Sequence, residues 1–599
     1  MAKQGIETML VINGKDKTDS VVSYRYMAGK CWVTFSNSPK EYIYNASNVR
    51  ELRLKESIDP NTALVYANGR LLNGLSQILY YGEFYRMVKD GGKTQSYPQR
   101  AVRLERNCLA AQANQDLFSY FKETAEALSL VSENGINILS AQFNRISAIS
   151  GETVLSKYLE KASINTDRTL PDVLIYPFGL NQSQKQAVEN AFSSQISIIQ
   201  GPPGTGKTQT ILNIIANAVR QGKTVAVVSN NNSATKNVEE KLDKYGLSFI
   251  TAFLGSKKNK ENFLEAQTGT YPDMFEWDLD VQELPRCNER IRTLSEELNK
   301  MLEVKNRIAQ IDHELLELSP EQHYFGEFSK SIVPDIKQLP TLTGMDSNKL
   351  LNLWLEYEDS AENGKSLSWF RKLLLLFRYN RAAVKLFSKS PDAVIPYLQS
   401  QYYVVKEAEL RQERAAVEAK LANYHFEEKM AELSAESLRL FRAELARRYR
   451  WGSGRTKFEQ KDFRGNSHDF NQEYPVVLST TYSIKGTLSF EHIYDYLIVD
   501  EASQVDLATG VLAMACARNI VIVGDLKQLP NVLTNEDVEK AERLWNGYAF
   551  NEEYHFTAHS MLSSVVALWP EAPSVLLREH YRCHPKIAEF LTKNFMADN

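Results

Sequence analysis

Residues 196–219, ISIIQGPPGTGKTQTILNIIANAV, join a short strand pattern, a glycine-rich turn and a helical pattern. The β-branched run from Ile196 to Ile199 predicts a buried strand, and the apolar periodicity after Lys207 predicts a helix. Between them stands GxxxxGKT, a spacing in which backbone N–H groups at a helix N-terminus close around phosphate oxygens. A chance glycine-rich loop is the alternative, but the strand and helix on either side argue against it. The segment predicts a phosphate-binding turn of an α/β domain.

Each residue type in this turn suits one part of a bound triphosphate. Lys207 would reach the β and γ phosphates, and the Thr208 hydroxyl would ligate Mg²⁺. The candidate backbone contacts are Gly201, Gly204, Thr205 and Gly206. We therefore expect ATP and Mg²⁺ as cofactors.

A second strand pattern, in YDYLIVDEASQVDL (residues 494–507), ends in two acidic residues. Asp500 would hold Mg²⁺, and Glu501 would orient and deprotonate the attacking water. Paired acids after an apolar run often only cap the next helix. The phosphate-binding turn elsewhere in the chain favours the catalytic interpretation.

A third strand pattern, in NIVIVGDLKQLPNV (residues 519–532), leads from Ile520–Val523 to Gln528, whose amide would sense the γ-phosphate. This signal is weak by itself. With the other two patterns it predicts a RecA-like P-loop fold, an α/β parallel sheet with helices on both faces.

Several ordered motifs together resemble superfamily 1 helicases, in particular the 5′-to-3′ branch typified by the nonsense-mediated-decay helicase and its bacterial relatives. The similar segments are GLNQSQKQAV (179–188), GPPGTGKT (201–208), NNNSATKNVEEKL (230–242), VVLSTTYSI (476–484), VDEASQ (499–504), GDLKQLP (524–530) and HYRCHP (580–585). The resemblance covers Pro177 to about Glu589, with one large interruption.

The resemblance also implies roles for individual residues. Gln184 would read the adenine. Asn232, Ala234 and Thr480 would contact the nucleic acid, although Asn230-Asn231 stand where the family usually has Pro-Ser.

From the second motor domain, Tyr581 would stack on adenine and Arg582 would reach the γ-phosphate, with His580 where the family commonly has Gln. Only 17 residues follow Arg582. We therefore expect a chain that lacks most of the second domain, binds ATP-Mg²⁺ weakly and hydrolyses it poorly.

Two functions follow from the resemblance. The first is an ATP-driven helicase or translocase on single-stranded nucleic acid, with DNA somewhat favoured over RNA. The second is a nucleotide-binding module that docks to nucleic acid or a partner without efficient turnover.

The composition of this 599-residue chain restricts the partners and the cellular compartment that can be expected for it. The net charge of −4 requires that a polyanion be met by local basic patches. The five cysteines show no CxxC spacing, which fits a reducing cytoplasm and indicates neither a disulfide framework nor a zinc site. No signal pattern or long uncharged apolar run is present, so no membrane partner is expected.

The predicted organisation has six parts: a β-rich module (1–98), a helical accessory region (99–175), the first half of motor domain 1 (176–255), a helical stalk insertion (256–474), the second half of that domain (475–570) and the start of domain 2 (571–599). In the first module, YRYMAGKCWVTF predicts a hairpin turning near Ala28-Gly29, and EYIYN the next strand. Its tyrosines are either ordinary strand formers or base-stacking residues.

The insertion carries apolar residues at heptad spacing in both of its arms. In the first arm these are Ile291, Leu294, Leu298, Met301, Ile308 and Leu315, and in the second Leu410, Val417 and Leu421. They predict an antiparallel helical stalk, with a coiled-coil dimer as the alternative. A protein partner could dock on this stalk.

Two further segments of the insertion can each be interpreted in two ways. SLSWFRKLLLLFRYNRAAVKLF (366–387) predicts a helix buried in a tip subdomain, with a membrane-surface or partner site as the alternative. ARRYRWGSGRTKF (446–458) mixes arginines with aromatic residues, which suits either a nucleic-acid strand or a solvated helix end.

Overall fold

The computed structural model describes residues 7–127, 137–280, 282–330, 339–340, 342–362, 369–379, 381–449, 454–489, 491–528 and 533–577. The chain forms two compact units. The first joins Met1–Val281 to Ser437–Asn599, and the second is Gln282–Glu436.

The N-terminal part of the first unit is built from antiparallel strands. They are β1 (Thr8–Ile12), β2 (Lys15–Asp16), β3 (Val21–Met27), β4 (Lys30–Phe35), β5 (Glu41–Asn45), β6 (Val49–Arg53), β7 (Glu56–Ile58), β8 (Ala63–Ala67), β9 (Arg70–Leu71), β10 (Leu75–Tyr80), β11 (Phe84–Lys89), β12 (Thr94–Pro98) and β13 (Val102–Arg106). Their sheets have the orders β2-β1-β6, β3-β4-β5, β12-β11-β10-β7 and β13-β8-β9. The β structure continues past residue 98 because β13 pairs with β8 along its whole length.

The predicted hairpin is confirmed. Strands β3 and β4 pair across Ala28 and Gly29, whose φ angles of 50° and 74° place both in the left-handed region that such two-residue turns require. Cys31 and Val33 are fully buried on one face of β4, as the alternation predicts. Strand β5 follows on the other side of β4.

Three helices then pack against the motor domain: α1 (Gln112–Ala127), α2 (Ile138–Phe143) and α3 (Val154–Glu160). Phe121 and Tyr158 belong to the same apolar core as Trp569. The Tyr158 hydroxyl also lies 2.6 Å from the Ser564 hydroxyl. The accessory helices are therefore part of the first unit's core.

The motor domain is a seven-stranded parallel sheet in the order β16-β17-β15-β18-β19-β14-β20. Its strands are β14 (Ile196–Gln200), β15 (Val225–Ser229), β16 (Thr251–Phe253), β17 (Val476–Thr480), β18 (Tyr494–Val499), β19 (Ala517–Gly524) and β20 (Ser574–Leu576). The apolar runs of β14, β15 and β18 are buried almost throughout, as expected for a parallel sheet covered on both faces. The predicted α/β fold class is confirmed.

Helices connect these strands. They are α4 (Gln182–Ser193), α5 (Lys207–Arg220), α6 (Asn232–Asp243), α7 (Lys257–Ala266), α14 (Asp462–Gly465), α15 (Ser467–Glu473), α16 (Leu507–Met514), α17 (Asn535–Trp545) and α18 (Met561–Leu568), with α8 to α13 lying between α7 and α14 in the chain. Because all strands run the same way, the turns that follow them meet at one carboxyl edge of the sheet.

Strand β20 lies in residues 571–599, the range predicted to start a second domain. It pairs in parallel with β14, Val575 opposite Ile199, at the edge of the first sheet. The described part of that range therefore belongs to the first motor domain, while Tyr581 and Arg582 lie outside the described residues.

The second unit is helical. Its helices are α8 (Glu283–Lys330), α9 (Ser347–Glu362), α10 (Trp369–Arg378), α11 (Arg381–Leu386), α12 (Pro391–Ala422) and the first part of α13 (Phe426–Tyr449). Ion pairs Arg290–Glu432, Arg307–Glu413 and Lys406–Glu314 join residues whose numbers rise in one arm and fall in the other. The predicted antiparallel arrangement of the two arms is thus confirmed.

The buried seam of α8 departs from the predicted heptad. Ile291, Leu294 and Leu298 are buried as expected, but Leu302 and Ile311 are buried farther along instead of Met301 and Ile308. An α-helix has 3.6 residues per turn. The face of α8 that packs in the stalk therefore moves gradually away from a strict seven-residue repeat.

The prediction of a buried tip helix is wrong for α10, which is largely exposed. Leu375 is buried, whereas Leu373, Leu374, Leu376 and Phe377 are exposed. No helix within the described residues is long and apolar enough to cross a membrane.

Candidate functional site

The phosphate-binding turn lies at the carboxyl edge of the sheet, between β14 and the N-terminus of α5. Gly204 and Gly206 have φ angles of 92° and 88°, which side chains other than glycine rarely adopt. A Cβ atom at Gly206 would also collide with the Gln184 amide. These two glycines let the turn direct backbone N–H groups and the positive end of α5 toward an anion.

A cavity of about 320 Å³ opens in front of this turn. It is lined by Pro203, Gly204, Gly206, Lys207, Thr208, Gln209, Ser233, Ala234, Asn237, Lys241, Asp500 and Glu501. Residues from three strand ends therefore meet in one cavity, as expected at the carboxyl edge of a parallel sheet.

Lys207 and Glu501 face each other across the cavity. The Lys207 Nζ atom lies 3.4 Å from Glu501 Oε1, and Lys207 is only 8% exposed. Lys207 Nζ and Glu501 Oε2 are both buried without a hydrogen-bond partner among the described residues. Buried polar atoms without partners are costly, so this arrangement suits a ligand that would supply the missing contacts.

Asp500 lies deeper, at the end of β18. Burial, together with the negative charge of Glu501, raises the pKa of Asp500 to about 6, while Lys207 acts in the opposite direction. The Glu501 backbone N–H donates to Asp500 Oδ1 over 3.0 Å. A bound divalent cation would favour the carboxylate form, and the Thr208 hydroxyl in the same cavity is a second oxygen ligand. The residues present fit Mg²⁺.

The backbone at Glu501 is unusual. Its φ of 54° is left-handed, which is rare for a non-glycine residue and clusters at functional sites. This conformation ends β18 sharply and brings the Glu501 side chain back to Lys207.

Gln528 lies beyond the cavity lining, after β19. Its Oε1 atom accepts a hydrogen bond from the Ser503 hydroxyl over 3.3 Å, which ties it to the turn that follows Glu501. It is thus linked to the acidic turn through one side chain.

Sequence reasoning missed five cavity residues: Pro203 and Gln209 in and after the phosphate-binding turn, and three on α6, which are Ser233, Asn237 and Lys241. The Asn237 amide donates to the Thr208 hydroxyl over 3.3 Å, and the Lys241 charge lowers the pKa of Asp500. The three are spaced four residues apart, which places them on one helix face. This polar spacing on the helix after β15 was the available signal.

Gln184 does not reach the cavity. Its side-chain oxygen accepts from the Asn181 backbone N–H, closing a capping box at the start of α4, and its amide lies 3.3 Å from Gln209 Oε1. In this structure Gln184 therefore supports the phosphate-binding turn from behind.

The three residues expected to contact nucleic acid lie at or just after the ends of the paired strands β15 and β17. Ala234 lines the cavity. Thr480 is fully buried, and its hydroxyl donates to the Gly255 carbonyl over 3.4 Å, while Asn232 lies partly exposed at the start of α6. Asn232 and Thr480 both lie next to Gly255. A Cβ atom built on Gly255 would stand 2.5 Å from Asn232 Oδ1 and 3.2 Å from the Thr480 backbone nitrogen.

The arginine-rich segment near the return of the insertion is partly structural. Arg455 forms an ion pair with Glu473 at 2.7 Å and stacks over the Tyr474 ring. Tyr449 is buried against Phe249. These two side chains are therefore engaged within the first unit, and residues 450–453 lie outside the described part.

A parallel sheet, a GxxxxGKT turn and two acids opposite its lysine define a RecA-like P-loop nucleotide-binding domain.

Comparison with known proteins agrees with this class. The model of a family described as "AAA domain" matches residues 179–536, more than half of the chain, and the chain belongs to this family.

Curated relatives match over shorter stretches. DNA polymerase alpha-associated DNA helicase A of Schizosaccharomyces pombe is 36% identical over 93 residues, 15% of this chain and 14% of the relative. DNA-binding protein SMUBP-2 of Rattus norvegicus is 43% identical over 74 residues, 12% and 8% of the two chains. Regulator of nonsense transcripts 1 of Caenorhabditis elegans is 39% identical over 83 residues, 14% and 8%. The matched segments thus span less than a sixth of these relatives.

Proposed function

We propose that this chain is an ATP-dependent motor, a helicase or translocase that moves on single-stranded nucleic acid. The observation that carries the proposal is the cavity in which Lys207 and Glu501 lie 3.4 Å apart with Asp500 and Thr208 beside them. The names of two of the relatives, a DNA helicase and a DNA-binding protein, support it.

The proposed mechanism assigns one task to each side chain. The N-terminus of α5 and Lys207 bind the β and γ phosphates, and Lys207 leaves Glu501 to do so. Glu501, freed from the ammonium group, accepts a proton from the attacking water. Asp500 and Thr208 would hold Mg²⁺, which offsets phosphate charge during transfer.

Gln528 is proposed to report the state of the γ-phosphate through Ser503. Gln184, Tyr581 and Arg582 remain candidates for the adenine and γ-phosphate contacts, and Asn232, Ala234 and Thr480 for the nucleic acid, by the family resemblance. We also retain the 5′-to-3′ polarity, the bacterial type and a cytoplasmic location as proposals on the same basis.

DNA is the preferred substrate in this proposal, because two relatives carry DNA in their names; another, of Saccharomyces cerevisiae, is named as a putative RNA helicase. The second candidate is a nucleotide-binding module that docks to nucleic acid or a partner without efficient turnover.

The test is ATP hydrolysis by the full chain without nucleic acid and with single-stranded DNA or RNA of equal length. Stimulation by either polymer supports the motor, and the stronger stimulator identifies the substrate. ATP binding with no hydrolysis under any condition would favour the docking module.

A further inference from the structure

A basic groove lies between helix α7 and the short helix α14. We define the basic groove by Lys260, Gln460, Lys461, Arg464 and Thr487, which line a cavity of about 390 Å³ together with Phe463 and Gly486. Three of these side chains are cationic, and the lining includes no carboxylate. The groove therefore has the charge expected of an anion site.

Lys260 and Arg464 are the central pair of the groove. Burial and the charge of Arg464 together lower the pKa of Lys260. Within the described parts of the chain neither residue forms an ion pair with a carboxylate, whereas Lys461 pairs with Glu459 at 2.8 Å. Two uncompensated like charges repel each other, and a bound anion would remove that cost.

The walls of the groove are fixed in place. Gln267, just after α7, and Phe458 exchange two hydrogen bonds of 2.9 and 2.8 Å. Phe463 is 2% exposed and packs against Phe263 and Phe470, which anchors its neighbour Arg464. The groove is thus largely formed before a ligand arrives, which lowers the ordering cost of binding.

The position of the groove connects it to the sheet's carboxyl edge. Helix α7 begins shortly after β16, and Thr487 lies shortly after β17. The Thr487 hydroxyl is 3.3 Å from the hydroxyl of Ser479, the residue before Thr480. The groove therefore adjoins the segment expected to contact nucleic acid.

We propose that the basic groove binds the phosphodiester backbone of single-stranded nucleic acid, with Lys260 and Arg464 sharing one phosphate and the Gln460 amide donating to a neighbouring one. The inference rests on the proposed function and adds a site to it. Phe463 is buried and cannot stack on a base, so the contact is to the backbone and independent of sequence.

The experiment measures the affinity of the full chain for dye-labelled oligonucleotides of DNA and RNA between about 50 and 200 mM salt. The variants are Lys260→Ala, Arg464→Ala and the double variant. Losing one phosphate contact on a single strand should reduce the slope of log affinity against log salt by about 0.7 in the double variant. We expect affinity to fall for both polymers and ATP affinity to stay unchanged.

Lys540→Ala is the matched control, because Lys540 is an exposed cation of the same unit that pairs with Glu536 at 2.7 Å. It changes the net charge by the same amount as each single variant and should leave the salt slope unchanged. Thermal unfolding of every variant checks that the fold is kept.

Three results would overturn the inference. Parental affinity and slope in the double variant would exclude the groove and leave the motor proposal intact. Failure of the parental chain to bind either oligonucleotide would remove both proposals. Arg464-dependent binding of inorganic phosphate, with oligonucleotide binding independent of Arg464, would identify a site for a free anion.

Discussion

The Lys207 ammonium and the Glu501 carboxylate, 3.4 Å apart in the nucleotide cavity, pair the group proposed to bind phosphate with the group proposed to activate water. Each is the other's counter-ion before a nucleotide arrives. A γ-phosphate must therefore compete with Glu501 for Lys207. Once Lys207 binds the phosphate, the Glu501 carboxylate is free to act as the base. Binding and activation of the site are coupled through one ion pair.

Lys207→Ala should abolish detectable ATP binding, because backbone N–H groups alone cannot offset the triphosphate charge. Titration with a fluorescent ATP analogue measures this. Lys236→Ala, which removes an exposed cation paired with Glu240 on α6, is the control and should bind normally. Undiminished affinity in Lys207→Ala would disprove the assignment of the phosphate site.

Glu501→Gln should retain ATP and Mg²⁺ but hydrolyse ATP about 10² to 10⁴ times more slowly, since the base is lost while Asp500 remains. Without the carboxylate competing for Lys207, ATP affinity should hold or rise. Parallel binding and turnover measurements separate the two effects. Hydrolysis at the parental rate would make Glu501 a structural acid.

Asn237→Ala should weaken ATP binding about fivefold in the presence of Mg²⁺ and leave metal-free binding nearly unchanged. Its amide holds the Thr208 hydroxyl through one hydrogen bond, which is worth about 1 kcal/mol. Lys241→Ala should instead weaken both, because a cation acts on the phosphates directly. Equal losses with and without Mg²⁺ in Asn237→Ala would contradict the positioning role.

His492 should make the first unit sensitive to mild acid. Burial and the nearby Lys485 charge lower the pKa of His492 to about 4, and its ring packs against Tyr494. The unfolded chain, with a histidine pKa of about 6.5, takes up the proton first as pH falls. Stability is therefore complete above about pH 6.5 and declines toward pH 4, by roughly 3 kcal/mol in total.

The urea midpoint measured between pH 7.5 and pH 5 checks this. His492→Gln should lower the midpoint at pH 7.5 through lost packing but flatten its dependence on pH. A variant with the parental pH dependence would assign the acid sensitivity to other groups.

The parts of the fold that follow from local pattern were predictable from sequence. The apolar runs of β14 and β18 predict buried strands. The turns after these strands carry GxxxxGKT and Asp500-Glu501, respectively. The hairpin at Ala28-Gly29 is equally local. In each case neighbouring residues determine the conformation without help from distant segments.

Features that depend on distant pairing were not predictable. The three-residue strand β20 exists because β14 offers it an edge, and β13 because β8 does. In the sequence, the polar residues of α6 have the pattern of an ordinary solvated helix face. Only the structure shows that Asn237 contacts Thr208.

Replacement of residues 282–436 by a short Gly/Ser linker should leave the first unit folded and able to bind ATP. A longer deletion, of residues 285–445, would also remove residues 437–445 of that unit. Arg442 donates to the Tyr245 carbonyl at 2.7 Å, and Glu444 pairs with Arg220 at 3.0 Å, so both belong to the motor domain.

A comparison of the two deletions tests this boundary. Because loop-closure entropy changes slowly with length, the shorter deletion should keep a cooperative thermal transition close to that of the parental first unit. The longer one should lose stability by about 1 to 3 kcal/mol or more, because the Arg220 guanidinium is left partly buried without Glu444. Arg220→Ala introduced into both deletions serves as the control, since it should destabilise the shorter deletion and add little to the longer one. Equal stability of the two deletions would show that residues 437–445 contribute nothing to the motor domain, and loss of cooperative unfolding in the shorter one would show that the helical unit is required for its fold.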